Sequence, residues 1–152
     1  MRRYRPFVVL GLAAMVWLFS LAGPAAATAP QPVTIIVPTD VTGERSEDPF
    51  TATGGIVCEA GTVSNSFALF TGWQSDTHAQ ILIGKLFVCP EGTFEVLLRV
   101  KLHFDTGQTF GTWSVRSGTG AFAGLKGTGS LVGIPQEGDI ILDMYTGAMH
   151  TH

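Results

Sequence analysis

The chain has 152 residues, with nine Lys and Arg against twelve Asp and Glu, for a formal net charge of −3. That acidic balance disfavours nucleic-acid phosphate and anionic membranes as partners, because both are held by clustered basic side chains. The length bounds the answer to one domain with a real core, and two cysteines allow at most one internal disulfide.

Residues 1–27 read as a cleaved secretory signal. Arg2, Arg3 and Arg5 form a positive start, Phe7 to Leu21 an apolar run, and Ala25 and Ala27 an A-x-A end. The apolar run is short for a membrane span, and nothing later in the chain is long and apolar enough to be one. Removal of this segment takes three of the nine basic residues, leaving six against twelve acids and a charge of about −6 on the exported chain. An oxidising destination favours pairing Cys58 with Cys89. Closing that loop would remove about 3 to 4 kcal/mol of unfolded-chain entropy. A metal pair or catalytic thiol lacks a CxxC spacing and a second ligand cluster.

Residues 28–49 carry Pro30, Pro32, Pro38 and Pro49 and the polar run "GERSED". This composition predicts a flexible segment, with one short strand at Val33 to Val37. The barrel domain is expected from 50 to 152, where β-favouring runs alternate with glycine. They are Phe50 to Cys58, Thr62 to Phe70, Ala79 to Val88, Thr93 to Phe104, Thr109 to Arg116, Thr128 to Ile134 and Asp139 to Tyr145. In "TFEVLLRVKLHF", Phe94, Val96, Leu98, Val100, Leu102 and Phe104 occupy one face. Twelve alternating residues suit a barrel wall better than a small open sheet.

The stretch "GTGAFAGLKGTGSLVG" at 118–133 holds six glycines. Gly118, Gly120 and Ala123 satisfy a G-x-G-x-x-G/A spacing, and Asp139 follows at a suitable distance for a ribose contact. A dinucleotide fingerprint must open a helix, however, and Gly124, Gly127 and Gly129 would break that helix in its first turns. Lys126, followed by glycine, does not complete a P-loop. The stretch is therefore read as a tight turn between strands that tucks Phe122 and Leu125 inward.

The run Gly111-Thr112-Trp113-Ser114-Val115 followed by "SGTGAFAGLKGTGSLVG" resembles the turn signature of the allene oxide cyclase and dirigent-like barrels, especially small bacterial secreted relatives. "CPEGTFEV" at 89–96 and "YTGAMH" at 145–150 are further points of likeness. The resemblance implies an all-β, eight-stranded antiparallel barrel with a central cavity, and trimers among plant members. The family's catalytic acids and arginines do not map onto this chain residue by residue, so the resemblance carries the fold and not the reaction.

Glu95, Arg99, Lys101 and His103 share one face of the long strand and are the catalytic candidates, either a polar lumen lining or a solvated outer face. Trp73, Phe87, Phe104, Phe110, Trp113 and Tyr145 are candidates for lining an apolar pocket, or for filling the core. His150 and His152 form a terminal pair without a third ligand and read as a tail, so no metal and no cofactor are expected. No hydrolase motif is readable. The leading expectation is a secreted, non-catalytic barrel that binds a small apolar ligand or a partner, with a homo-oligomer left open. Alternatives are a cyclase- or dirigent-like isomerase or stereochemistry-guiding protein, and a purely structural extracellular domain. An open apolar cavity would favour the first, converging polar groups in an apolar lumen the second, and a filled core the third.

Overall fold

The computed structural model describes residues 28–151; residues 1–27, on which the signal expectation falls, and His152 lie outside the described residues. Eight strands run β1 Gln31–Asp40, β2 Asp48–Thr53, β3 Ala60–Ser75, β4 His78–Cys89, β5 Gly92–His103, β6 Thr109–Gly118, β7 Leu125–Pro135 and β8 Ile140–Thr151. Each pairs antiparallel with its chain neighbour, and β1 pairs with β8 to close the barrel. The all-β, eight-stranded antiparallel barrel expected from the sequence is the fold observed.

Period-two alternation decides which residues face the lumen. On β5, Phe94, Val96, Leu98 and Val100 are buried, while Glu95, Leu97, Arg99 and Lys101 lie on the outer side. The loops 41–47, 76–77, 104–108 and 136–139 lie at one end, called upper here, and 54–59, 90–91 and 119–124 at the other.

The segment 28–49 departs from its expectation. It supplies all of β1, which pairs with β8 from Gln31↔Met149 to Asp40↔Ile140, and the start of β2. Val33, Ile35 and Val37 alternate into the core, and their burial outweighs the disorder suggested by the composition. Pro32 and Pro38 fit because β2 pairs with β1 only over Thr34 to Ile36, so each proline has a strand neighbour on one side alone. The expected strand Phe50 to Cys58 is cut short at Thr53, where Gly54 and Gly55 adopt positive φ and begin a loop. His150, expected in a tail, belongs to β8 and pairs with Lys126 of β7.

The glycine-rich stretch is architecture, as expected. Gly120 (φ 58°) and Gly124 (φ 78°) flank a single 3-10 turn, Gly120–Phe122, that packs Phe122 and Leu125 into the lower end. Lys126 projects outward and is exposed. Farther along, Gly129 of β7 and Gly147 of β8 leave the room that the Trp113 ring occupies; an added Cβ on either would meet that ring at 2.6 Å. The Trp113 indole N–H donates to the Ser130 carbonyl at 3.1 Å. Cys58, in the β2–β3 loop, is disulfide-bonded to Cys89 at the end of β4, with Cα atoms 5.9 Å apart.

Candidate functional site

Inward-facing residues change character along the barrel axis. The lower lumen is filled by Phe50, Phe87, Phe94, Phe122, Leu125 and Met149. Phe87 stacks on Phe94 at 4.7 Å and meets Phe50 and Tyr145 edge-on at 5.2 and 5.8 Å. These geometries are the favoured ones for aromatic pairs.

Beneath the β1–β2 loop the upper lumen instead holds a cavity of about 330 Å³. Ile81, Ile83, Leu98, Val100, Leu131 and Ile141 make its apolar wall, and Lys85, Asp143, Tyr145, Thr39, Thr109 and Asn65 add polar groups. Lys85 reaches the lumen by simple alternation. In "ILIGKLFVC" it continues the inward row of Ile81 and Ile83 toward Phe87. On β8, Ile141, Asp143 and Tyr145 form the corresponding row, and on β2 Asp48 precedes the inward Phe50.

The electrostatics follow from burial. Desolvation pushes the Lys85 ammonium below the usual lysine range, against the attraction of Asp143 and Asp48. Desolvation also raises the Asp143 carboxyl, although the Thr39 hydroxyl donates to it at 2.7 Å, Lys85 attracts it and the Thr109 hydroxyl donates at 3.5 Å. Both groups are thereby moved toward their neutral forms. The Tyr145 phenol is pushed well above its ordinary value, first by burial and then by Asp143 and Asp48. Its hydroxyl is buried and has no hydrogen-bond partner among the described residues. Such a group costs about 1 to 3 kcal/mol and in a native protein calls for a reason.

The loop over the cavity is braced by its own charges. Arg45 contacts Asp40 at 3.2 Å and Asp48 at 3.6 Å, and Asp48 accepts the Asp40 backbone N–H at 3.1 Å. Hydrogen bonds from Thr42, with Arg45 assisting, lower the Asp40 carboxyl to about 2. Beside this loop the wall is incomplete: β2 pairs with β3 only as far as Val63, so the upper part of β3 is bonded to β4 alone. Asn65 on one side and Thr39 to Gly43 on the other border the cavity there.

The sequence candidates fall in different places. Tyr145 lines the cavity. Phe87 and Trp113 are core, in the lower plug and against the glycine pair. Phe104 and Phe110 are exposed at the upper rim and on the outer wall. Trp73 belongs to β3, and its side chain lies outside the described residues. Glu95, Arg99, Lys101 and His103 face outward, which corrects the lumen-lining alternative: the opposite face of β5 is the one that packs the core.

On that outer wall Glu95 accepts a hydrogen bond from Ser66 at 2.7 Å and lies 3.8 Å from Arg116, and His103 stacks on His78 at 5.5 Å. Arg99 and Lys101 border a shallow outer groove of about 700 Å³ together with Gln80, Leu82, Phe110 and Thr112. That groove is the larger of the two, but its polar groups keep their water. The smaller cavity has desolvated ones, and desolvation is what makes a polar group discriminate or react.

Lys85, Asp143 and Asp48 were missed by sequence reasoning. Their signal was present as charged residues standing at inward positions of otherwise apolar rows. Comparisons of the chain with protein-family profiles, with curated proteins and with solved structures find no match.

Proposed function

We propose that this is an exported barrel that binds a small, mainly apolar molecule bearing one oxygen function in its upper lumen. The observation that carries this reading is the Tyr145 hydroxyl, buried without a partner among the described residues on the wall of an apolar cavity. A ligand oxygen accepting that O–H would recover the lost hydrogen bond while its apolar body covers Ile81, Ile83 and Leu98. Lys85 and Arg45 stand against Asp40, Asp48 and Asp143 near the cavity, and burial moves both Lys85 and Asp143 toward their neutral forms, so a neutral ligand fits better than an anion.

Export rests on the signal-like residues 1–27. The Cys58–Cys89 bond is compatible with it, as is the lack, among the described residues, of any helix long and apolar enough to cross a membrane.

A second reading has one observation in its favour. Polar groups do converge in the apolar lumen, the feature expected of a cyclase- or dirigent-like isomerase rather than of a passive binder. In that reading Asp143 and Lys85 move protons and Tyr145 orients an oxygen.

Thermal melts with a panel of small alcohols, ketones and acids on aromatic or short alkyl bodies test the binding reading. A ligand held only by the folded state at a hundred times its Kd adds about 2.7 kcal/mol. Members with a neutral oxygen should raise the Tm of the parent and raise that of Tyr145→Phe less. Equal shifts in both proteins, or none in either, would refute the assignment. Turnover of a bound member that is lost in Asp143→Asn, with binding retained, would establish the second reading.

A further inference from the structure

We propose that Lys85 is a covalent capture site for small apolar aldehydes and ketones, which it binds in the upper lumen as an imine. The inference rests on the lumenal reading above and names its ligand class. Three features of the cavity lead to it.

First, Lys85 is only 4% exposed and stands on an apolar row of β4 that borders the cavity. Buried lysines of this kind are the ones that act as nucleophiles, because an amine rather than an ammonium is the form their surroundings favour. Second, the groups that act on it are few and identifiable. Asp143 of β8 and Asp48 of β2 attract its charge, and Asp48 is itself engaged by Arg45 at 3.6 Å. No salt bridge within 4 Å ties Lys85 down among the described residues. Third, the cavity contains the other two parts that imine chemistry needs. Tyr145 offers an unused O–H to a carbonyl oxygen, and Asp143 is a carboxyl held toward its protonated form by burial.

The step balances without an oxidant, reductant or metal. The Lys85 Nζ lone pair forms a bond to the carbonyl carbon as the C=O π pair moves onto oxygen, and one of the two amine protons passes from nitrogen to that oxygen to give a neutral carbinolamine. Asp143 then protonates the hydroxyl, which leaves as water. The nitrogen loses its remaining proton to the Asp143 carboxylate as C=N forms, or keeps it as an iminium beside that carboxylate. The net change is amine plus carbonyl to imine plus water. A carboxylic acid or an alcohol of the same body can be bound but cannot complete this sequence.

The chain has only three lysines, Lys85, Lys101 and Lys126, so two outer-wall amines serve as internal references. The exported protein is incubated at pH 7 with cinnamaldehyde and sodium cyanoborohydride, which reduces any imine to a stable secondary amine, and is then mapped by peptide mass spectrometry. Labelling at Lys85 should exceed that at Lys101 and Lys126 by about tenfold or more, because its amine is buried in the cavity wall and theirs are on the outer wall. It should slow in Tyr145→Phe and be absent from this site in Lys85→Arg, which keeps the charge. Equal labelling of the three lysines, or none at Lys85, would overturn the inference.

Cinnamyl alcohol, with the same body and no carbonyl, separates this failure from that of the broader reading. A rise in Tm with the alcohol but no Lys85 adduct with the aldehyde leaves lumenal binding standing and removes covalent capture. No rise and no adduct removes both. Because the decisive labelling is done on the parent protein, it does not depend on any variant folding.

Discussion

The two ends of the lumen are lined by the same eight alternating strands, yet one is filled and the other is not. The lower end has aromatic side chains in contact, with Phe87 at the centre of a set that includes Phe50, Phe94 and Tyr145, and it is stapled by Cys58–Cys89. The upper end has shorter aliphatic walls, ionisable and hydroxyl-bearing side chains around one cavity, and a loop held by the ion pairs of Arg45 with Asp40 and Asp48. Stability is concentrated where apolar surface and a cross-link coincide. Chemistry is concentrated where polar groups are desolvated but not fully matched. Tyr145 joins the two, with its ring against Phe87 and its hydroxyl unpaired among the described residues.

Substitutions can break this contrast, and the largest effect is expected in the plug. Phe87→Ala should cost about 3 to 5 kcal/mol, because it removes a large side chain from a site with no exposure and leaves a cavity. Urea unfolding would show it, and a loss under 1 kcal/mol would mean that the lower end is not the stabilising half. Removing the disulfide by replacing both cysteines with alanine should cost about 2 to 4 kcal/mol in the same assay.

The upper end should respond in the opposite sense. Lys85→Met keeps the length of the side chain and replaces a buried amine that has no salt bridge among the described residues, so stability at pH 7 should stay within about 1 kcal/mol of the parent or increase. Its covalent labelling by the aldehyde should nevertheless disappear. A loss of the size seen for Phe87→Ala would erase the distinction between the two ends.

The pH dependence sharpens the same point. Asp143 has a raised folded pKa, so the folded state holds its proton more tightly and stability falls as pH rises from about 3.8 through the folded value. Lys85 has a lowered one, so stability rises as pH climbs from its folded value toward 10.5. Urea midpoints measured against pH should lose the first slope in Asp143→Asn and the second in Lys85→Met. Phe87→Ala should keep both. The smallest effects belong to the glycine turn: Gly120→Val should cost about 1 kcal/mol or more through its positive φ, and Lys126→Ala less than about 0.5 kcal/mol. Thermal melts would separate them, and a Tm of the parent that rises with nucleotide would contradict the architectural role of that turn.

Much of the barrel was legible because alternation is a local property. The apolar row of β5, though not the side it would face, and the turn that tucks Phe122 in could be read from residues close together in the chain. β1 was legible only as the short run Val33 to Val37. Its full length depends on pairing with β8, more than a hundred residues away, and proline-rich composition says nothing about that partner. The same limit hid the site. Lys85, Asp48 and Asp143 are separated widely in sequence, and each alone is simply a charged residue in an apolar setting.

What the sequence determined by itself was the class of structure, the cysteine pair and the architectural use of the glycines, since each follows from residue type and near-neighbour spacing. The tertiary structure alone decided which side of each strand became the lumen. Barrel closure turned Phe94, Val96 and Leu98 inward and the polar row from Glu95 to His103 outward. It also brought Lys85, Asp143 and Tyr145 onto the wall of one cavity. The physical reason is that hydrophobic burial acts on the whole closed sheet, and a side chain's chemistry depends on the water that closure removes from around it.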